Sequence, residues 1–124
     1  MEASRVPLVF MIKVHGLINC DTCRKAIKDL STREIDYQFI DLRKDGLVKN
    51  DLKKWVASTG WKVLLNTRGL TWRGLTEVEK EIVDERKAIA LMFKYPALIK
   101  RPVFEIGSKV MIGYKDNQKK ALGL

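Results

Sequence analysis

The chemistry open to this chain is set by Cys20 and Cys23, its only two cysteines, which stand three positions apart in the stretch Gly16-Leu17-Ile18-Asn19-Cys20-Asp21-Thr22-Cys23-Arg24-Lys25-Ala26. A thiolate can displace a leaving group, exchange with a disulfide or bind a metal, and its surroundings select among these. The apolar run Val9 to Val14 reads as a strand, and after it Cys23, Ala26, Ile27 and Leu30 recur at the spacing of a buried helix face. Cys20 is thereby placed at the helix start, where unpaired backbone N–H groups and the positive end of the helix dipole favour a thiolate or a bound oxyanion. Cys23 lies one turn further in, within reach for a disulfide. The stretch reads as a redox or thiolate active site.

Two other readings compete with it. Paired cysteines can be small buried hydrophobes, and C-x-x-C can be half of a zinc site. Zinc needs two further ligands, and the chain offers no third cysteine and a single histidine, His15. The strand-then-helix setting is that of a redox motif.

The rest of the chain must position these thiols. A length of 124 residues suits one ordinary core; residues 1–8 read as a flexible extension and 9–124 as one domain, expected to be a monomer. No stretch approaches the roughly 18 apolar residues of a membrane span, and the N-terminus lacks the pattern of a secretory signal, so a cytoplasmic location is expected. There, a cysteine pair is catalytic or sensing rather than a structural staple. The 24 basic and 15 acidic residues give a net charge of +9. Nucleic acid is disfavoured as a partner, because the basic residues are spread over every element and no recognition motif is visible. Small anions or an acidic protein suit such a surface.

Along the chain, Ser31 to Asp36 is a polar turn and Tyr37 to Asp41 alternates as a strand. Val48, Leu52, Trp55 and Val56 share one helix face, which Gly60 terminates. Trp61 to Leu65 gives one further turn, and Asn66 to Leu75, with two glycines and no period, reads as a loop able to reach a site. Thr76-Glu77-Val78-Glu79 is a capping box, and Asp84 caps another helix with Ala88, Ile89, Met92 and Phe93 inward before Pro96. Val103 to Ile106, Gly107-Ser108 and Lys109 to Ile112 form a tight hairpin, and Asp116 to Leu122 a last helix. These elements predict an α/β, thioredoxin-like fold: a four-stranded mixed sheet with a helical insertion between the βαβ unit and the C-terminal hairpin.

Asn19-Cys20-Asp21-Thr22-Cys23-Arg24-Lys25-Ala26, Leu64-Leu65-Asn66-Thr67-Arg68-Gly69 and Pro96-Ala97-Leu98-Ile99-Lys100-Arg101-Pro102 resemble, in order and spacing, the three signatures of the ArsC/Spx family. The resemblance spans Met11 to Gly123. Gly60-Trp61 and Thr71-Trp72-Arg73 look closest to its arsenate-reductase-like YffB group. It implies that Cys20 is a nucleophile and that Arg101, before a cis-proline at Pro102, stabilises thiolate and oxyanion; Cys23, which the YffB group usually lacks, is expected from its spacing alone to be a catalytic partner thiol. Substrate contacts are implied for Asn19, Asp21, Thr22, Asn66, Arg68 and Pro102. No bound cofactor is expected; glutathione is the implied co-substrate, or a glutaredoxin the partner, with a small oxyanion or disulfide as substrate. An arginine fork meets a tetrahedral oxyanion well, which makes Arg101 a sensible clamp.

This chain departs from the family enzymes at two clamps. Asn66 stands where they carry an arginine, and Met111-Ile112-Gly113-Tyr114 replaces the stretch with a third. Each lost charge-assisted contact weakens anion binding by about 1.5 to 3 kcal/mol, so thiol–disulfide chemistry is favoured over arsenate reduction. The rival reading is a redox-switched regulator: Spx proteins resemble this chain in C-x-x-C, Thr67-Arg68 and Arg101-Pro102, and bind the C-terminal domain of the RNA polymerase α subunit. Trp55, Trp61 and Trp72 set the chain apart from that group.

Overall fold

The computed structural model describes residues 11–124. The expected extension 1–8, and Val9 and Phe10 of the expected first strand, lie outside the described residues. In chain order the elements are β1 (Ile12–Gly16), α1 (Asp21–Thr32), β2 (Tyr37–Asp41), α2 (Lys49–Thr59), α3 (Trp61–Leu64) and α4 (Leu70–Arg73). There follow α5 (Glu77–Lys80), α6 (Glu85–Lys94), a 3-10 turn (Pro96–Leu98), β3 (Val103–Ile106), β4 (Lys109–Ile112) and α7 (Asp116–Ala121). The described residues form two compact units, one from residues 11–42 with Arg101–Leu124, the other Arg43–Lys100.

The first unit carries a four-stranded sheet in the order β2-β1-β3-β4. β1 runs parallel to β2, as a strand–helix–strand crossover requires, and antiparallel to β3, which turns back as β4. Side chains alternate across the sheet. Ile12, Val14 and Phe104 therefore share a face with Ala26 and Leu30 of α1 and with Tyr114 and Leu122 around α7, and these form its buried core. Glu34, at φ 57°, reverses the chain after α1, so that the Ile35 N–H reaches the Leu30 carbonyl at 2.9 Å and Ile35 folds back onto that core. The Tyr114 hydroxyl donates to Asp29 Oδ2 at 2.5 Å, tying the end of the hairpin to α1. The opposite face carries a buried pair, His15 Nε2 and Glu105 Oε1, 2.6 Å apart. This mixed sheet is the expected thioredoxin-like α/β arrangement, with the helical insertion between Asp41 and Val103.

In the second unit, α2 buries Leu52, Trp55 and Val56 and packs on α3 and α6. Gly60, at φ 93°, ends α2 with a backbone turn that costs other residues a steric penalty, and its N–H closes on the Val56 carbonyl at 2.8 Å. The capping box at Thr76 is present in both directions, with Thr76 Oγ1 accepting the Glu79 N–H at 3.1 Å and Glu79 Oε1 accepting the Thr76 N–H at 3.0 Å. Asp84 caps α6 by accepting the Lys87 N–H at 2.8 Å.

Three sequence expectations are corrected here. Val48, expected on the apolar face of α2 with Leu52, Trp55 and Val56, precedes the helix as its N-cap and is exposed. The stretch from Asn66 to Leu75 is not loop throughout: Leu70–Arg73 makes the single turn α4, too short to leave a hydrophobic period in the sequence. In α6 the inward residues are Ala88, Leu91 and Met92, while Ile89 is half-buried and Phe93 is 42% exposed beneath the Lys49 ammonium. The i, i+3, i+4 stripe starts from Ala88 in both versions, but packing uses its Leu91 side, and Ile89 and Phe93 fall about 100° away.

Phe104→Ala, which empties a fully buried site beside Val14, should cost about 3–5 kcal/mol in urea unfolding. Val78→Ala, at a site 73% exposed, should stay within about 0.5 kcal/mol.

Candidate active site

Between the end of β1 and the start of α1 the chain must turn from sheet to helix in four residues, Leu17 to Cys20. Backbone pairing and one buried carboxylate fix that turn. The Cys20 N–H donates to the Leu17 carbonyl at 3.0 Å, the Leu42 N–H to the Gly16 carbonyl at 2.8 Å, and Asp41 Oδ2 accepts the Ile18 N–H at 3.0 Å. Cys20 occupies the N-cap of α1 in extended conformation, and its carbonyl accepts the Arg24 N–H at 3.0 Å. Its sulfur thus sits at a helix start rich in N–H donors.

Cys23 is buried and unbridged to the half-exposed Cys20. A methyl group on Gly16 would collide with Cys23 Sγ and lie 3.3 Å from its Cβ, so the missing side chain at Gly16 is the space that the second thiol fills. The position of Arg101 follows from strand register. His15 pairs with Val103, so the chain entering β3 through Arg101 and Pro102 runs beside the chain leaving β1 through Gly16 and Leu17. The Arg101–Pro102 peptide is cis, as the resemblance implies, and Pro102 is buried with its carbonyl accepting the Gly113 N–H at 2.9 Å. There the Arg101 side chain favours the Cys20 thiolate over the thiol, through hydrogen bonding and charge.

The two thiols are driven apart electrostatically. Burial, the largest influence on Cys20, opposes its ionisation, but the Cys23 N–H, the Cys23 thiol and Arg101 together outweigh it and hold its pKa below the ordinary thiol value. Cys23 is pushed up to about 12, first by burial, which the Leu17 backbone opposes, and then by its hydrogen bond to Cys20 and the negative charge there, with Arg101 a weaker opposing influence. The site therefore favours one thiolate hydrogen-bonded by one retained thiol, which is the division of labour of a nucleophile and a reserve thiol.

Of the other expected contact residues, Asn19, Asp21 and Thr22 are exposed around the start of α1, and Asp21 is ion-paired with Arg24. Asn66 and Arg68 belong to the second unit. There the Asn66 side-chain oxygen accepts the Arg68 N–H at 3.0 Å, so the amide shapes its own loop, and the exposed Arg68 lines a groove. Sequence reasoning missed Asp41, a carboxylate ending an apolar strand, and the role of Gly16, a glycine ending another; both were visible as breaks in strand composition. Among the described residues no group of three or more His, Cys, Asp or Glu side chains could hold a metal ion, and no helix is long and apolar enough to cross a membrane.

The model of the ArsC family matches residues 15–122. An uncharacterized protein of Haemophilus influenzae is 40% identical over 111 residues, covering 90% of this chain and 97% of its own length. The YffB protein, a solved structure, superposes with a TM-score of 0.85 at 38% identity, covering 90% of this chain and 98% of its own. The global transcriptional regulator Spx 2 of Bacillus anthracis is 24% identical over 110 residues, covering 87% of this chain and 83% of its own length.

Alkylation of Cys20 at graded pH should give a midpoint below that of a free thiol, with Cys23 unreactive at neutral pH. Because Arg101 favours the thiolate, Arg101→Gln should move the Cys20 midpoint upward and slow alkylation at neutral pH; an unchanged midpoint would remove Arg101 from the site. Gly16→Ala should displace the Cys23 thiol and raise its reactivity, read by mass spectrometry of alkylated peptides.

Proposed function

The chain belongs to the ArsC family, and from that premise we propose that it is a thiol-dependent oxidoreductase with Cys20 as nucleophile, linked to glutathione or a glutaredoxin. The observation that supports this reading most is the asymmetry of the thiol pair: an ionisable, half-exposed Cys20 faced by Arg101, and a buried, protonated Cys23 against it.

In this mechanism the Cys20 thiolate attacks one sulfur of a small disulfide, forming a mixed disulfide and expelling one thiolate, which takes a proton from solvent. The negative charge on Cys20 that helped to raise the Cys23 pKa is then gone, so Cys23 ionises more readily. It gives up its proton, attacks the Cys20 sulfur and releases the second thiolate. The resulting Cys20–Cys23 disulfide holds the oxidation, and two glutathiones restore both thiols while becoming one glutathione disulfide. Overall, one disulfide is reduced to two thiols at the expense of two glutathiones. Arg101 and the start of α1 hold negative charge on sulfur at each displacement. Cys20 could instead attack the arsenic of arsenate, forming a sulfur–arsenic bond as a protonated arsenate oxygen leaves as water, but Asn66 and the Met111-Ile112-Gly113-Tyr114 stretch lack the charged forks that would grip an oxyanion tightly. Such a cycle belongs in a reducing compartment such as the cytoplasm.

The complete cysteine pair also suits a second reading, a regulator like the Spx relatives, in which the disulfide biases a surface that binds the polymerase α subunit. No turnover is required of a switch.

Glutathione-coupled assays should show slow reduction of a small disulfide, abolished by Cys20→Ser, with little or no arsenate turnover. Cys23→Ser should accumulate a mixed disulfide on Cys20, seen as added mass. Redox-dependent capture on the polymerase α C-terminal domain without turnover would transfer the assignment to the regulator.

A further inference from the structure

The second unit contains a groove that neither cysteine lines. The two segments that wall it are held together by an antiparallel bridge between Leu65 and Ile99, with the Asn66 N–H on the Leu98 carbonyl at 2.7 Å and the Lys100 N–H on the Leu64 carbonyl at 2.9 Å. Trp61, Lys62, Leu65, Thr67, Arg68 and Lys100 line a space of about 480 Å³, within the range of about 300–1,000 Å³ in which ligand sites lie. Three of the six lining residues are cations and none is an acid. Among the described residues no carboxylate pairs with Lys62, Arg68 or Lys100; the Lys62 ammonium instead sits 5.6 Å above the Trp61 ring.

Three exposed, uncompensated cations in one groove repel each other, and an anionic ligand relieves that repulsion. The apolar surroundings define the ligand further. Leu65 is buried in the lining and Trp61 is half-buried. A small inorganic anion has no use for the apolar wall of Trp61 and Leu65, and a nucleic acid strand requires a longer basic track with open aromatic faces for stacking. A chain that alternates carboxylates with aliphatic side chains uses both features at once. We propose that this groove is a docking site for an acidic protein partner, engaged through an extended segment of glutamate or aspartate residues interspersed with aliphatic ones. Neither cysteine is among its lining residues.

The test is fluorescence anisotropy of the full chain with a labelled peptide of glutamates interrupted by single leucines. Binding should weaken as salt is raised and fall at least about tenfold in Arg68→Gln/Lys100→Gln, on the strength of two lost charge-assisted contacts. It should persist in Lys28→Gln/Lys120→Gln, which removes the same charge from exposed positions elsewhere, and in Cys20→Ser. Lys62→Gln/Arg68→Gln supplies a second groove variant, with circular dichroism checking that each variant is folded. Equal weakening in both charge-matched pairs would reduce the effect to diffuse charge and overturn the proposal. So would tighter groove-dependent binding of a single-stranded RNA of matched length, or displacement of the peptide by millimolar glutathione.

Discussion

His15 opposite Val103 in the antiparallel pairing of β1 with β3 is the constraint from which the site follows. β1 delivers the chain to Cys20 and β3 receives it from Arg101, so the ends that carry opposite charge are neighbours because two strands are paired in one register. Slipping that register by one residue would put Val14 and Phe104 on opposite faces, turning one of them out of the core, as well as moving Arg101, so the apolar packing and the polar site enforce the same alignment. The buried His15–Glu105 contact ties the same two strands on the other face of the sheet.

Within that frame, two chemically identical side chains acquire opposite tendencies from three residues of separation. Cys20, at the cap, meets helix donors and Arg101 before it meets the low-dielectric interior; Cys23, one turn on, is buried in the space left by Gly16 and shares Cys20's negative charge. The pair thus works as a unit in which each thiol's ionisation depends on the state of the other. Asp41 contributes through geometry: by accepting the Ile18 N–H it holds the turn that presents the cysteine, and a flexible turn would dissipate the donor field.

The net charge of +9 is uneven in its consequences. Some cations are compensated locally, as Arg24 is by Asp21 and Lys80 by Glu77, and so contribute little beyond solubility. Arg101 is directed at a sulfur, and Lys62, Arg68 and Lys100 converge without an acid among them. Composition alone gives the sum of these charges; only their placement separates surface from site.

Periodicity in the sequence determined β2, the hairpin of β3 and β4, and the start of α1 at the cysteines, because alternation and the 3.6-residue repeat are local consequences of which face is buried. The caps at Thr76, Asp84 and Gly60 were legible for the same reason: each is a contact between residues a few positions apart. Periodicity failed where an element is a single turn, as at Leu70–Arg73, or where two helix flanks are about equally apolar, as with Leu91 against Ile89 and Phe93. Cys20 could be read as a thiol at a helix start, and the motifs around it pointed to Arg101 and a cis bond at Pro102. The depth to which Cys23 is buried, the need for a side-chain-free Gly16, the anchoring by Asp41 and the acid-free groove joining residues 61–68 to Lys100 were decided by tertiary structure alone. Each is a contact between segments distant in sequence, or a space that such segments enclose, and a linear pattern carries no record of which distant residues share a volume.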